Sequence, residues 1–79
     1  MMTAIKKSQL KIFREELGIA QEDMARECGL RMRTYQAAEQ AKRGCSYATA
    51  MSILTGLNRL RNERGLPALA IDQLGLNIQ

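Results

Sequence analysis

The sequence predicts a single all-α domain, a compact arrangement of four or five helices. Its 79 residues leave room for one domain only. Apolar residues recur at helical spacing along most of the chain, and strand patterns are sparse until its last residues. Single glycines separate the helical stretches, so we interpret all six as helix ends or turns. They are Gly18, Gly29, Gly44, Gly56, Gly65 and Gly75.

The first helix is predicted between Thr3 and Leu17. Leu10, Phe13 and Leu17 recur at positions i, i+3 and i+7, and this spacing places them on one helical face. Gly18 follows directly and favours the left-handed conformation in which helices commonly end. Because the chain has one Phe, two Tyr and no Trp, this face is expected to contact a mostly aliphatic core.

Two short helices are predicted next, from Gln21 to Cys28 and from Met32 to about Gln40, with Gly29 in the turn between them. Two helices that cross closely need a small residue at the crossing, and a tight turn favours a glycine. The sequence meets both needs and supplies an apolar inner face. The residues expected on that face are Met24, Ala25, Cys28, Leu30, Tyr35 and Ala38.

The fourth helix is predicted to be the longest. Ser46 is a good N-cap, and nothing in the pattern stops the helix before Gly65 and Pro67. Its apolar stripe consists of Ala50, Ile53, Leu54, Leu57 and Leu60. Its last turns carry three arginines that form either a solvated face, a second phosphate contact or the edge of an interface. These are Arg59, Arg61 and Arg64.

The tail, residues 65–79, is rich in apolar residues and carries one charge, Asp72. From Leu74 to Gln79 apolar and other residues alternate with period two, which predicts a short strand. A helical turn that begins at Asp72 is the alternative. An exposed apolar segment favours association, so the tail is our candidate dimerisation element. It could instead cover the core of its own domain.

The composition argues against an enzyme and against a metal site. The chain has no His, the residue most often used in general acid–base catalysis. Cys28 and Cys45 are too few to form a metal-ligand cluster. No apolar run approaches the roughly 20 residues that span a bilayer, and the first 20 residues do not have a signal-peptide pattern. We therefore predict a cytoplasmic protein with no cofactor, no metal and no catalytic residues.

The segment 21–40, QEDMARECGLRMRTYQAAEQ, has the pattern of a helix-turn-helix. With the residues before it, it resembles the Cro/repressor-type (XRE) helix-turn-helix family. The resemblance rests on the spacing Leu-Gly-x-x-Gln-Glu-x-x-Ala-x-x-x-Gly, which begins at Leu17, and covers about 50 of the 79 residues. It implies a lambda-repressor-like fold whose third helix lies in the DNA major groove.

The resemblance also implies individual roles. Met32, Arg33 and Gln36 match base-facing positions, where Arg33 would bind a guanine, Gln36 an adenine or a phosphate, and Met32 a thymine methyl group. Gln21 matches the residue that contacts phosphate at the start of the second helix. The complete set of predicted DNA-binding residues is Gln21, Arg31, Met32, Arg33, Gln36, Gln40, Lys42 and Arg43.

Two structural expectations follow from the same resemblance. Arg14 and Glu39 match a buried ion pair that joins the first helix to the third. Departures from the family pattern are also present, since Ala20 replaces the usual Ser or Thr cap of the second helix. Tyr35 replaces a branched aliphatic residue, so its hydroxyl group must reach the surface or a partner.

The charge distribution is consistent with a polyanionic partner. Residues 31–43 contain four basic side chains and one acid, a net charge of +3, whereas the second helix has a net charge of −2. We therefore expect a sequence-specific transcriptional regulator of the repressor type that binds a palindromic operator as a homodimer. A small protein could regulate it. The alternative is a protein-interaction module on the same fold, such as an antirepressor or an antitoxin-like adaptor.

Overall fold

The computed structural model describes residues 9–40 and 44–79, and this part of the chain is all-helical, as the sequence predicts. The helices are α1 (Gln9–Glu16), α2 (Gln21–Glu27), α3 (Met32–Gln40), α4 (Tyr47–Glu63) and a short 3₁₀ helix (Ile71–Leu74). No helix among these residues is long and apolar enough to cross a membrane.

Local sequence signals account for the ends of the α-helices. Gly18 and Gly29 have positive φ angles of 69° and 71°, so each ends a helix where other residues would be strained. At the start of α4, the Ser46 hydroxyl oxygen accepts a hydrogen bond from the Thr49 backbone N–H at 3.1 Å. Ala20 precedes α2 without a side-chain cap, as predicted from its methyl group.

The core forms where α1, α2, α3, α4 and the 3₁₀ helix meet. Its fully buried side chains are mostly aliphatic, and Tyr35 is the large exception. The predicted stripe of α4 is confirmed, with Leu54 half-buried at its edge. The buried core residues are Leu10, Leu17, Met24, Ala25, Cys28, Tyr35, Ala38, Ile53, Leu57, Leu60 and Leu74.

Gly56 corrects our interpretation of the glycines, because it lies inside α4 and ends nothing. A Cβ atom at this position would lie 2.9 Å from the Cys28 Sγ and 3.1 Å from the Glu27 carbonyl oxygen. Gly56 therefore lets the end of α2 approach the backbone of α4 closely. Single-sequence reasoning missed this role because the crossing partner is distant in the chain.

The tail folds back onto its own domain as a helical turn and one isolated bridge. Asp72 lies in the 3₁₀ helix, and Leu74 at the end of that helix is fully buried. Gly75 then turns the chain with a φ of 65°. The predicted strand is reduced to a single parallel bridge between Cys45 and Ile78, because the turn at Gly75 leaves only the last few residues extended.

Polar groups of α4 hold the first part of the tail. The Asn58 side chain donates to the Leu69 carbonyl oxygen at 3.0 Å and accepts from the Leu69 N–H at 2.8 Å. The Arg61 Nε donates to the Pro67 carbonyl oxygen at 2.9 Å. Leu66 and Ile78 remain 39% and 38% exposed. The tail thus contributes Leu74 to its own core and still exposes two large apolar side chains.

Candidate nucleic-acid interface

The pairing of α2 with α3 determines which side chains of α3 face solvent. Met24 and Ala25 of α2 and Tyr35 and Ala38 of α3 are buried in the shared core. The opposite side and the N-terminal end of α3 are therefore on the surface. The exposed residues there are Arg31, Met32, Arg33, Thr34 and Gln40, and Gln36 and Ala37 are half-buried.

Arg31 and Arg33 stand apart from the other arginines. Neither makes a hydrogen bond or an ion pair within the described residues. The other five arginines there all have partners inside the protein. They are Arg14 with Glu39, Arg26 with Asp23, Arg59 with Glu27, Arg61 with Pro67 and Glu16, and Arg64 with the Leu60 carbonyl. The guanidinium groups at the start of α3 are thus available to an external ligand.

A chain of side-chain hydrogen bonds connects α3 to α2 and α1. The Gln36 Nε2 donates to the Gln21 Oε1 at 3.2 Å, and the Gln21 Nε2 donates to the Glu39 Oε1 at 2.8 Å. Arg14 binds both carboxylate oxygens of Glu39, at 2.8 Å and 3.1 Å, and its Nη1 donates to the Ile19 carbonyl oxygen. The structure thus confirms the predicted Arg14–Glu39 ion pair and brings the two predicted glutamines together.

The inner end of this chain is well shielded from solvent. The side chains of Arg14 and Glu39 are 11% and 3% exposed. Burial by itself would raise the pKa of Glu39, but the hydrogen bonds from Arg14 and Gln21 outweigh it and hold the pKa below its usual value. The hydrogen bond to Glu39 also raises the pKa of Arg14. Both groups therefore remain charged at neutral pH.

Tyr35 lies in the same buried cluster. Its hydroxyl group makes no hydrogen bond of standard geometry within the part of the chain that the structure describes. Burial and the neighbouring Glu39 raise the pKa of Tyr35, so the phenol stays protonated. The hydroxyl does not reach the surface, and it lies beside the Glu39 carboxylate.

The structure gathers most of the predicted site on one side of the domain. Gln21 and Gln36 are hydrogen-bonded to each other, and Arg31, Met32 and Arg33 follow one another at the exposed start of α3. Gln40 is exposed at the other end of the same helix. The predicted contacts at Lys42 and Arg43 lie outside the described residues.

The arginines of α4 have structural roles that single-sequence reasoning did not identify. The Arg61 side chain is only 7% exposed, lies over the Phe13 ring at 5.4 Å, and is 3.7 Å from the Glu16 carboxylate. Arg59 pairs with Glu27 at 3.2 Å. A signal for Arg61 was present, because it lies four residues after the buried Leu57 and thus on the apolar stripe of α4.

A shallow groove of about 280 Å³ lies between the end of α2 and α4. It is lined by Glu27, Cys28, Met51, Ser52, Thr55 and Arg59. Burial raises the pKa of the Cys28 thiol to about 11, so this cysteine is a poor nucleophile at neutral pH. No group of three or more potential metal ligands occurs among residues 9–40 and 44–79.

Comparison with known proteins gives no relative from which a role could be transferred. No family model, no curated protein and no solved structure matches the chain.

Proposed function

We propose that this protein is a sequence-specific DNA-binding regulator of the helix-turn-helix type, with α3 as its recognition helix. The observation that carries the proposal is the pair of unpartnered arginines at the exposed start of α3. Desolvating a guanidinium is unfavourable unless it gains a partner, and these two have no internal one. A guanine edge or a backbone phosphate provides such a partner.

The glutamine pair supports the same function. Because Gln36 donates one proton to Gln21, the orientation of its amide is restrained. Its Oε1 and its second Nε2 proton remain for an adenine edge, which needs one donor and one acceptor. Gln21 likewise keeps one Nε2 proton after binding Glu39, and that proton can bind a phosphate oxygen. The ion pair beneath both residues fixes their position without itself contacting DNA.

We propose further that the protein binds a palindromic operator as a homodimer. One recognition helix contacts only a few base pairs, and two helices about 34 Å apart contact two half-sites on one face of DNA. Leu66 and Ile78 of the tail are exposed, and the Ile78 N–H and C=O make no hydrogen bond within the described residues. An apolar surface with a free backbone edge favours pairing with a second copy.

The DNA-binding proposal is tested by fluorescence anisotropy with DNA from upstream of the protein's own gene and a scrambled duplex as control. Arg33→Ala should weaken binding to the preferred duplex by about 1–3 kcal/mol, the contribution of one bidentate base contact. Arg26→Ala is the matched control, since it removes the same side chain and charge from an exposed ion pair with Asp23. Equal losses for the two variants, or equal binding to both duplexes, would contradict the proposal.

The dimer proposal is tested by sedimentation equilibrium of Leu66→Glu and Ile78→Glu. Both charges lie on the exposed tail surface and should shift the protein towards monomer. Ile12→Glu is the control, because Ile12 is 47% exposed on α1. If the parent is a monomer at the concentrations at which it binds DNA, or if Ile12→Glu alone dissociates it, the assignment of the tail is wrong.

One observation favours the protein-interaction module as a second candidate. Met32 is 37% exposed at the centre of the presumed recognition surface, and it has no hydrogen-bonding group suited to base edges. A flexible apolar side chain at that place also suits a protein surface. In that case Arg33→Ala and Gln36→Ala would weaken capture of a protein partner and leave DNA affinity unchanged.

A further inference from the structure

The end of the tail makes a second, separate attachment to the domain. The Cys45 N–H donates to the Asn77 carbonyl oxygen at 2.8 Å, and the Gln79 N–H donates to the Cys45 carbonyl oxygen at 3.0 Å. The Gln79 side chain also packs over Gly44, in the space that a Cβ would need. Residues 77–79, called the strap below, therefore grip both backbone groups of Cys45.

The place that the strap grips lies between the two halves of the proposed interface. Gly44 and Cys45 join the loop after α3 to Ser46, the N-cap of α4. Lys42 and Arg43 directly precede them in the chain and are the proposed phosphate contacts of that loop. We infer that the strap is a positioning element for DNA binding, which holds the chain at Cys45 so that the basic residues before it meet the phosphates. This inference rests on the proposed function.

The attachment of the strap is not needed to hold the rest of the tail. Leu74 is fully buried, Leu76 packs against the core, and Asn58 and Arg61 bind the backbone of residues 67 and 69. Removing the strap should therefore leave the helices and the core folded. Its loss should act on the contacts made just before Gly44, and phosphate contacts have a characteristic dependence on salt.

The test measures DNA affinity against salt concentration for the parent, Gln79→Pro and Gln79→Ala. Proline removes the N–H that binds the Cys45 carbonyl oxygen, whereas alanine keeps it. Each lost phosphate contact should lower the magnitude of the log–log salt slope by about 0.9 and weaken binding about eightfold at 0.1 M salt. We expect such a change for Gln79→Pro and a smaller one for Gln79→Ala, with melting temperatures and oligomeric states close to the parent.

A double-mutant comparison identifies where the strap acts. Gln79→Pro should have little further effect in a Lys42→Ala, Arg43→Ala background, because the contacts that it positions are already absent. Its effect should add to that of Arg33→Ala. An unchanged affinity for Gln79→Pro, or a loss of affinity with the parental salt slope, would overturn the inference.

The inference and the proposed function fail in different ways. If the parent does not bind DNA, the proposed function is wrong whatever the strap does. Amide hydrogen exchange then still reports on the strap, because faster exchange at Cys45 in Gln79→Pro requires no DNA. Unchanged exchange at Cys45 would contradict the positioning role independently of the ligand.

Discussion

The arginines at the start of α3 and those near the end of α4 are the same residue type in opposite situations. Arg31 and Arg33 are exposed and have no partner within the described residues, whereas Arg59, Arg61 and Arg64 each bind a group of the protein itself. A count of charges makes the two clusters look alike. The difference shows that a basic cluster indicates a ligand only when the fold leaves its guanidinium groups without partners.

The neighbouring residues explain this difference. Arg61 lies on the buried stripe of α4, where the Phe13 ring and the Pro67 carbonyl surround it. Its long side chain covers apolar surface while its charge is satisfied locally. Arg33 lies on the side of α3 that faces away from Tyr35 and the core, and no acidic side chain of α2 pairs with it. The acids of α2 instead bind Arg26 and Arg59.

The largest effect is expected where an arginine is most deeply committed to the fold. Glu39→Ala leaves the Arg14 guanidinium buried beside no carboxylate, which should destabilise the protein by about 3–5 kcal/mol. Urea denaturation followed by circular dichroism measures this loss. Glu22→Ala, an exposed acid of α2, is the control and should change stability by no more than about 0.5 kcal/mol. A loss below about 1 kcal/mol for Glu39→Ala would show that the ion pair is not a structural anchor.

A smaller loss is expected for the buried arginine of α4. Arg61→Ala removes the hydrogen bond to Pro67, the contact with Phe13 and the packing of a side chain that is 7% exposed. We expect a destabilisation of about 2–3 kcal/mol. Arg64→Ala is the matched control, since Arg64 is exposed and binds only a carbonyl of its own helix. Equal stabilities of the two variants would remove the contrast between the clusters.

Acid should reveal the ion pair without any mutation. The folded-state pKa of Glu39 is lowered, so its stabilising contribution is complete above the unfolded value of about 4.3 and is lost as the pH falls from there through the folded pKa. Thermal melts between pH 7 and pH 2 should show this loss. In Glu39→Gln the decrease should be shallower, because the titrating group is gone. A parallel decrease in both proteins would assign the acid sensitivity to other carboxylates.

The smallest effect on stability is expected at the start of α3. Arg31→Ala and Arg33→Ala remove no internal contact of the described residues, so each should change the free energy of unfolding by no more than about 0.5 kcal/mol. The same denaturation experiment measures it. Their effect belongs to DNA affinity, and a stability loss as large as that of Arg61→Ala would mean that these residues support the fold.

Much of the fold follows from local signals in the sequence. Gly18 and Gly29 end helices because they adopt positive φ angles, and Ser46 begins α4 because its hydroxyl caps a free N–H. The apolar stripes fix which faces are buried. Gly56 and Arg61 were misjudged or left open, because their roles depend on partners far away in the chain, at Cys28 and Pro67.

The candidate site was predictable to a similar extent. The spacing around Gln21 and Gln36 indicated that both belong to one surface, and the structure joins them by a hydrogen bond. Which arginines remain without a partner could not be read from the sequence, because pairing depends on the tertiary approach of acidic residues. The attachment of residues 77–79 to Cys45 was hidden for the same reason.

The measurement that tests the central claim most directly is selection of DNA from a random duplex library by the parent protein and by Arg33→Ala. We predict that the parent enriches one palindromic sequence, and that Arg33→Ala relaxes the preference for guanine at a single position in each half-site. If the parent enriches no sequence, the exposed arginines of α3 do not form a base-contacting surface, and the proposed function is wrong.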